Sequence, residues 1–140
     1  MEKYTREELD ETLRVVSSVI SRCEKAQLKF PEGNSQHSLL KNRIKAMYIS
    51  KSLIANARAC LKIHFPNLQT HSSDEYTKEE LIEALKPVTS VISKCEKAQI
   101  KYTEGTSQHT RFKNLINAMY ISKFFITEEI GKREEIPTNR

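Results

Sequence analysis

The sequence predicts an all-α protein: two tandem-repeated helical hairpins packed as a four-helix bundle with internal pseudo-twofold symmetry. Three observations point there. Residues 4–54 align without a gap on residues 76–126, and 33 of those 51 positions are identical, so one unit is present twice. Within each unit apolar residues recur at three and four residues, the helical period. The chain has only three glycines in 140 residues and almost no period-two alternation, which leaves little room for strands and tight hairpins. A unit of about 50 residues buries too little apolar surface to be secure alone, so the copies must pack on each other or on another chain.

Each unit opens on a Thr-x-x-Glu capping box, Thr5 with Glu8 and Thr77 with Glu80. Tyr4 with Leu9, and Tyr76 with Leu81, stand at the two positions of a hydrophobic staple. The first helix is predicted to run to about Lys29, carried by Leu9, Leu13, Val16, Ile20, Cys23 and Phe30. Gly33 and Gly105 end the pattern, and Asn34, Thr106 or the serines that follow cap a second helix. In the first copy that helix continues through Cys60 until Phe65-Pro66 stops it, and in the second Gly131 marks a stop. The resulting map is a first hairpin at 1–65, a polar linker at 66–75, a second hairpin at 76–131 and a loose tail at 132–140. Pro87 replaces Val15 inside the second copy's first helix, where it removes a backbone hydrogen bond, so a kink or break is expected near residues 83–87.

Twenty-three Lys and Arg against 18 Asp and Glu give a net charge of +5, which favours anionic partners in general. Acids interleave with the bases, as at Glu7, Glu8, Asp10, Glu11 and Glu24, and this argues against a nucleic-acid stripe. The N-terminus lacks the apolar stretch of a signal peptide and no apolar run approaches about 18 residues, so the expectation is a cytoplasmic protein with no membrane partner. Cys23 and Cys95 are repeat equivalents on an apolar face, Cys60 stands alone and no CxxC pair exists; these are expected to be reduced thiols. HExxH, phosphate-loop and dinucleotide-turn motifs are all missing, so no cofactor and no enzymatic activity are expected.

Winding each helix at about 100° per residue isolates the polar side chains in the wrong place. Gln27 and its equivalent Gln99 fall inside the apolar arc of the first helix. On the second helix Gln36, Arg43 and Ser50 lie at the centre of the arc, and the other copy keeps Gln108 and Ser122 but has Leu115 for Arg43. An inward arginine is costly unless an anion or a carbonyl meets it. Two explanations stand: these groups fix the register of the bundle, with Arg43 paired to Glu24 or a carboxylate of another chain, or they line a polar pocket. For the second, Gly33-Asn34-Ser35-Gln36-His37 followed by Lys41-Asn42 recurs as Gly105-Thr106-Ser107-Gln108-His109 and Lys113-Asn114. A helix start offers free N–H groups and the positive end of a dipole, to which His37, Lys41, His109 and Lys113 add donors for an anion. Capping explains the Gly, Ser and Thr of these segments but not the retained Gln, His, Lys and Asn.

One histidine per repeat is poor spacing for a metal, and a Cys23–His37 nucleophilic pair lacks evident activation. Tyr48 and Tyr120 flank the arc as rim residues or as platforms for a purine. The candidate ligand set is therefore Gln27, Gln36, His37, Lys41, Arg43, Ser50, Gln99, Gln108, His109 and Lys113, with no catalytic residue and no metal.

The segments EGNSQHSLLKNRIKAMYISKSLI and EGTSQHTRFKNLINAMYISKFFI resemble a type of short helical-hairpin protein associated with Gram-positive bacteria and their phages. The likeness covers about 51 residues of each half, rests on the Gly-x-Ser-Gln-His and Lys-Asn elements, and is broken at Arg111, Leu115 and Asn117. That type brings no activity with it. At fold level the architecture also looks like small helical phage proteins that oligomerise around interior pockets and sequester nucleotide immune signals, an analogy that transfers no site. What it implies is a non-catalytic, homo-oligomeric sponge for an anionic nucleotide-like signal. The alternatives are a protein-interaction module presenting Phe124 and Phe125, or a small RNA-binding bundle using Arg14, Lys25, Lys29 and Lys41.

Overall fold

In the computed structural model residues 4–62 and 75–135 are described, and among them the chain forms four helices and no strand: α1 (Arg6–Gln27), α2 (Ser35–Lys62), α3 (Lys78–Gln99) and α4 (Ser107–Glu135). The capping boxes start α1 and α3 where the sequence puts them. The Glu8 N–H donates to Thr5 Oγ1 at 3.1 Å while the Thr5 N–H donates to the Glu8 carboxylate at 2.8 Å, and Thr77 with Glu80 repeats the pair at 3.0 and 2.8 Å. α1 ends at Gln27, two residues before the expected Lys29, with Leu28 as its C-cap; α3 ends at Gln99 with Ile100 in that role. Gly33 and Gly105 then take φ of +96° each, the left-handed region in which a side chain would be strained, and the chain reverses. The expected stop at Phe65-Pro66 and most of the linker fall at residues 63–74, outside the described residues.

Two expected interruptions are missing: α3 does not break at Pro87, and α4 passes Gly131 to reach Glu135. The proline costs about 3 kcal/mol of helix, but Ala84, Val88, Val91 and Ile92 are buried on either side of it, and burial of such a face outweighs a single lost bond. Gly131 is crossed by the Glu129–Arg133 pair at 3.4 Å, one turn apart, and Lys132 and Arg133 suit the negative end of the helix dipole.

α1 packs on α2 and α3 on α4 within the hairpins; between them α2 meets α3, α1 meets α4 and α2 meets α4, while α1 and α3 do not touch. Exchanging the hairpins leaves this pattern of neighbours unchanged. A shared core joins both copies through equivalent buried residues, among them Val16 with Val88, Ile20 with Ile92 and Met47 with Met119. The pairs Gln27–His37 and Asp10–Arg58 make α1 and α2 antiparallel, and between the hairpins Lys45 of α2 pairs with Glu80 in the first turn of α3 while Ser52 meets Glu75 just before it.

Candidate functional site

At the turn of each hairpin most of the duplicated polar groups satisfy one another. The Gln27 amide donates to the His37 carbonyl at 3.3 Å and Gln99 to the His109 carbonyl at 3.2 Å, tying the last turn of one helix to the first turn of the next. Asn34 Oδ1 accepts from the Gln36 N–H at 2.7 Å, and Thr106 Oγ1 accepts from the His109 N–H at 3.2 Å. The helix starts are capped by their own chain, so some of the N–H groups on which anion binding would depend are already engaged. Lys41 and Lys113 are exposed, and His37 and His109 are half-buried. Among the described residues no group of three His, Cys, Asp or Glu could hold a metal ion.

The inward row on α2 is not a row. Gln36 and Gln108 are exposed, Arg43 is half-buried and Ser50 and Ser122 are fully buried. A spacing of seven drifts by about 20° per step on a straight helix, and the first turn of α2 extends to where little packs over it. The two serines donate to the carbonyls of Ala46 and Ala118, both at 2.9 Å, so they face no ligand. Tyr48 and Tyr120 are also accounted for: their hydroxyls donate to Glu24 at 3.0 Å and Glu96 at 3.1 Å, and the carboxylate acceptors raise both phenols above their ordinary pKa. Phe124 and Phe125 are half-buried rather than presented to a partner, packed edge-on at 5.2 Å and both against Tyr4. Arg14 of the basic set is engaged by Glu11.

Arg43 departs from this pattern. Glu24 is turned to Tyr48, and no described carboxylate lies within ion-pair distance of the Arg43 guanidinium. Its charge reaches the thiols of both Cys23 and Cys95 and draws them down. Burial nonetheless pushes both thiols up, more than the nearby cation draws them down, so neither is an activated nucleophile.

The guanidinium opens on a cavity of about 500 Å³ between α2 and α3. α2 supplies Leu39, Asn42, Arg43, Lys45, Ala46 and Ile49; α3 supplies Glu79, Glu80, Glu83, Ala84, Lys86, Pro87 and Ser90. Two of the ion pairs close on themselves, Lys45 with Glu80 at 3.0 Å and Lys86 with Glu83 at 3.3 Å, and Arg43 is left over as a cation. Pro87 carries no N–H, so the Glu83 carbonyl has no partner at the usual position one turn on and remains an acceptor beside the groove. Of the candidate set only Arg43 lines this cavity; the turn residues and the buried serines do not. Leu39, Asn42, Pro87 and Ser90 were missed as a group. A signal for them existed: the groove includes positions where the copies disagree, with Arg43 for Leu115, Lys45 for Asn117, Leu39 for Arg111, Ala84 for Thr12 and Pro87 for Val15.

No protein-family model matches the chain, and no curated protein or solved structure matches it. No described helix is long and apolar enough to cross a membrane.

Proposed function

We propose that the protein captures a small anionic, nucleotide-like molecule in the α2/α3 groove and releases it unaltered. The observation that carries this is Arg43, half-buried and with no carboxylate partner among the described residues, at the wall of a cavity of about 500 Å³. A cation kept partly out of water is costly unless its counter-charge arrives from elsewhere. The volume suits a ligand of nucleotide size, for which pockets run from about 300 to 1,000 Å³. In this seat a phosphate meets Arg43, a flat apolar ring lies on Ile49, Ala84 and Pro87, and Asn42, Ser90 and the Glu83 carbonyl read polar edges. Capture is non-enzymatic, since the two buried thiols are held protonated and no base, nucleophile and orienting group converge in the groove. Sequestration of a nucleotide signal, as by a phage anti-defence sponge, is the biological form of the proposal.

Arg43→Leu, which copies the second repeat, tests it. The variant is expected to melt at the same temperature or higher, because a desolvated charge is gone, and to lose binding in calorimetry against linear and cyclic nucleotides. Binding retained by the variant overturns the assignment. So does destabilisation by about 3 kcal/mol or more, the signature of a broken structural pair. Recovery of a cleaved nucleotide makes the protein an enzyme instead.

A further inference from the structure

The groove between α2 and α3 is electrically balanced. Its lining holds three cations, Arg43, Lys45 and Lys86, and three carboxylates, Glu79, Glu80 and Glu83. The Lys45–Glu80 and Lys86–Glu83 pairs take up two of each, which leaves Arg43 half-buried at the wall and Glu79 exposed in the first turn of α3. Neither makes an ion pair among the described residues. The equivalent positions on α1 and α4 have no such balance. They carry Glu7, Glu8 and Glu11 with Arg14 alone as a base, because Leu115 and Asn117 stand for Arg43 and Lys45. Arg43 and Lys45 thus bring an acidic face to neutrality and no further.

Resting on the capture of a nucleotide-like anion proposed above, we infer that the groove selects a ligand with a single negative charge, a cyclic nucleoside monophosphate or another phosphodiester, over nucleoside polyphosphates. One charge is answered by Arg43, the lining cation with no carboxylate partner among the described residues. A triphosphate brings several, and the others have to lie among Glu79, Glu80 and Glu83, where like charges repel. Both lysine pairs are open to solvent and weakly held, so Lys45 or Lys86 can swing to a phosphate. That exchange gains little, because the carboxylate left behind stays in the lining and the sum of charges around the ligand is unchanged. An uncharged nucleoside fails for the opposite reason: it leaves the Arg43 guanidinium partly out of water without a counter-charge.

The test is calorimetry of the full chain at low ionic strength, without divalent cations, against the nucleoside, cyclic monophosphate and triphosphate of adenine, guanine, cytosine and uracil. Within each series the base is constant and the charge varies. The cyclic monophosphate of the preferred base is expected to bind tightest, with its nucleoside and triphosphate each at least about tenfold weaker. Glu79→Gln removes the unpaired carboxylate without touching the Thr77–Glu80 cap, so it is expected to melt as the parent does. It should tighten the triphosphate more than the cyclic monophosphate and narrow the gap by about threefold or more. A gap that this variant leaves unchanged overturns charge as its cause. A triphosphate that binds the parent as tightly as the cyclic monophosphate, and is lost in Arg43→Leu, overturns the selectivity while capture in the groove stands. Absence of binding throughout the four series removes capture itself and the selectivity with it.

Discussion

The seam between α2 and α3 is made of ion pairs and open space, and the seam between α1 and α4 of aromatic rings. In the first, Lys45 holds Glu80 at 3.0 Å, the Ser52 hydroxyl donates to Glu75 at 2.9 Å, and the cavity lies alongside. In the second, position 117 is Asn, the equivalents of Ser52 and Leu53 are Phe124 and Phe125, and both rings close on Tyr4 with centroids 5.4 and 5.9 Å away. Both seams grew from one unit, so their difference shows what each copy no longer shares. Substitutions at one sealed the bundle with apolar area, and substitutions at the other left a charged opening.

Exchanging the proline tests the comparison hardest. Val15→Pro places into α1 what α3 tolerates and is expected to cost about 3 kcal/mol or more in a urea melt. Pro87→Val restores an N–H to the Glu83 carbonyl and is expected to raise stability by up to about 3 kcal/mol while weakening any groove ligand. Should Pro87→Val destabilise instead, the α2/α3 seam is built around the proline, and the proline is no mere burden on α3.

Making the aromatic seam resemble the other comes next. Phe124→Ser with Phe125→Leu removes the edge-on ring contacts and part of the cover over the smaller core of Leu9, Ile54 and Ile121, at an expected cost of about 1–3 kcal/mol by thermal melt. A neutral result would show that the rings serve something other than closure.

How the two copies differ also explains which parts of the molecule were legible beforehand. Helix starts were readable because Thr5, Glu8, Thr77 and Glu80 act over three residues, and the core because Val16, Ile20, Met47 and their equivalents keep the helical period. The site was read from what the copies retain, and retention turned out to be mostly structural. Gln27, Gln99, Tyr48, Tyr120, Ser50 and Ser122 each satisfy a nearby carbonyl or carboxylate that both hairpins must satisfy. Arg43 was noticed for its place at the centre of the apolar arc of α2, although the second copy has Leu115 there. The rest of the groove was illegible because it is formed by two helices far apart in sequence, and periodicity says which side of a helix is inward but not which helix lies across from it.

If Gln27 and Gln99 are braces, Gln27→Ala and Gln99→Ala should each cost about 1 kcal/mol, the net value of a hydrogen bond to a part-buried carbonyl, and should add in the double variant. Groove binding should be untouched by both. Loss of binding in either would return the turn end to the ligand site.

The smallest effect separates the two capping boxes. Glu80 is held below the ordinary carboxylate range, first by the Thr77 N–H and then by Lys45, whereas the equivalent of Lys45 beside Glu8 is Asn117. A carboxylate whose folded pKa is depressed contributes stability that is present in full above its unfolded value of about 4.3 and is lost as pH falls through the folded value. Glu80→Gln keeps a side chain able to complete the cap but cannot pair with Lys45 or change charge. Melting temperatures recorded from pH 6 down to pH 2 should therefore decline less steeply for Glu80→Gln than for the parent, and high salt should narrow the gap because the pair is open to solvent. Parallel curves for parent and variant would mean that the Lys45–Glu80 contact contributes nothing on acidification, leaving the α2/α3 seam distinguished by its cavity alone.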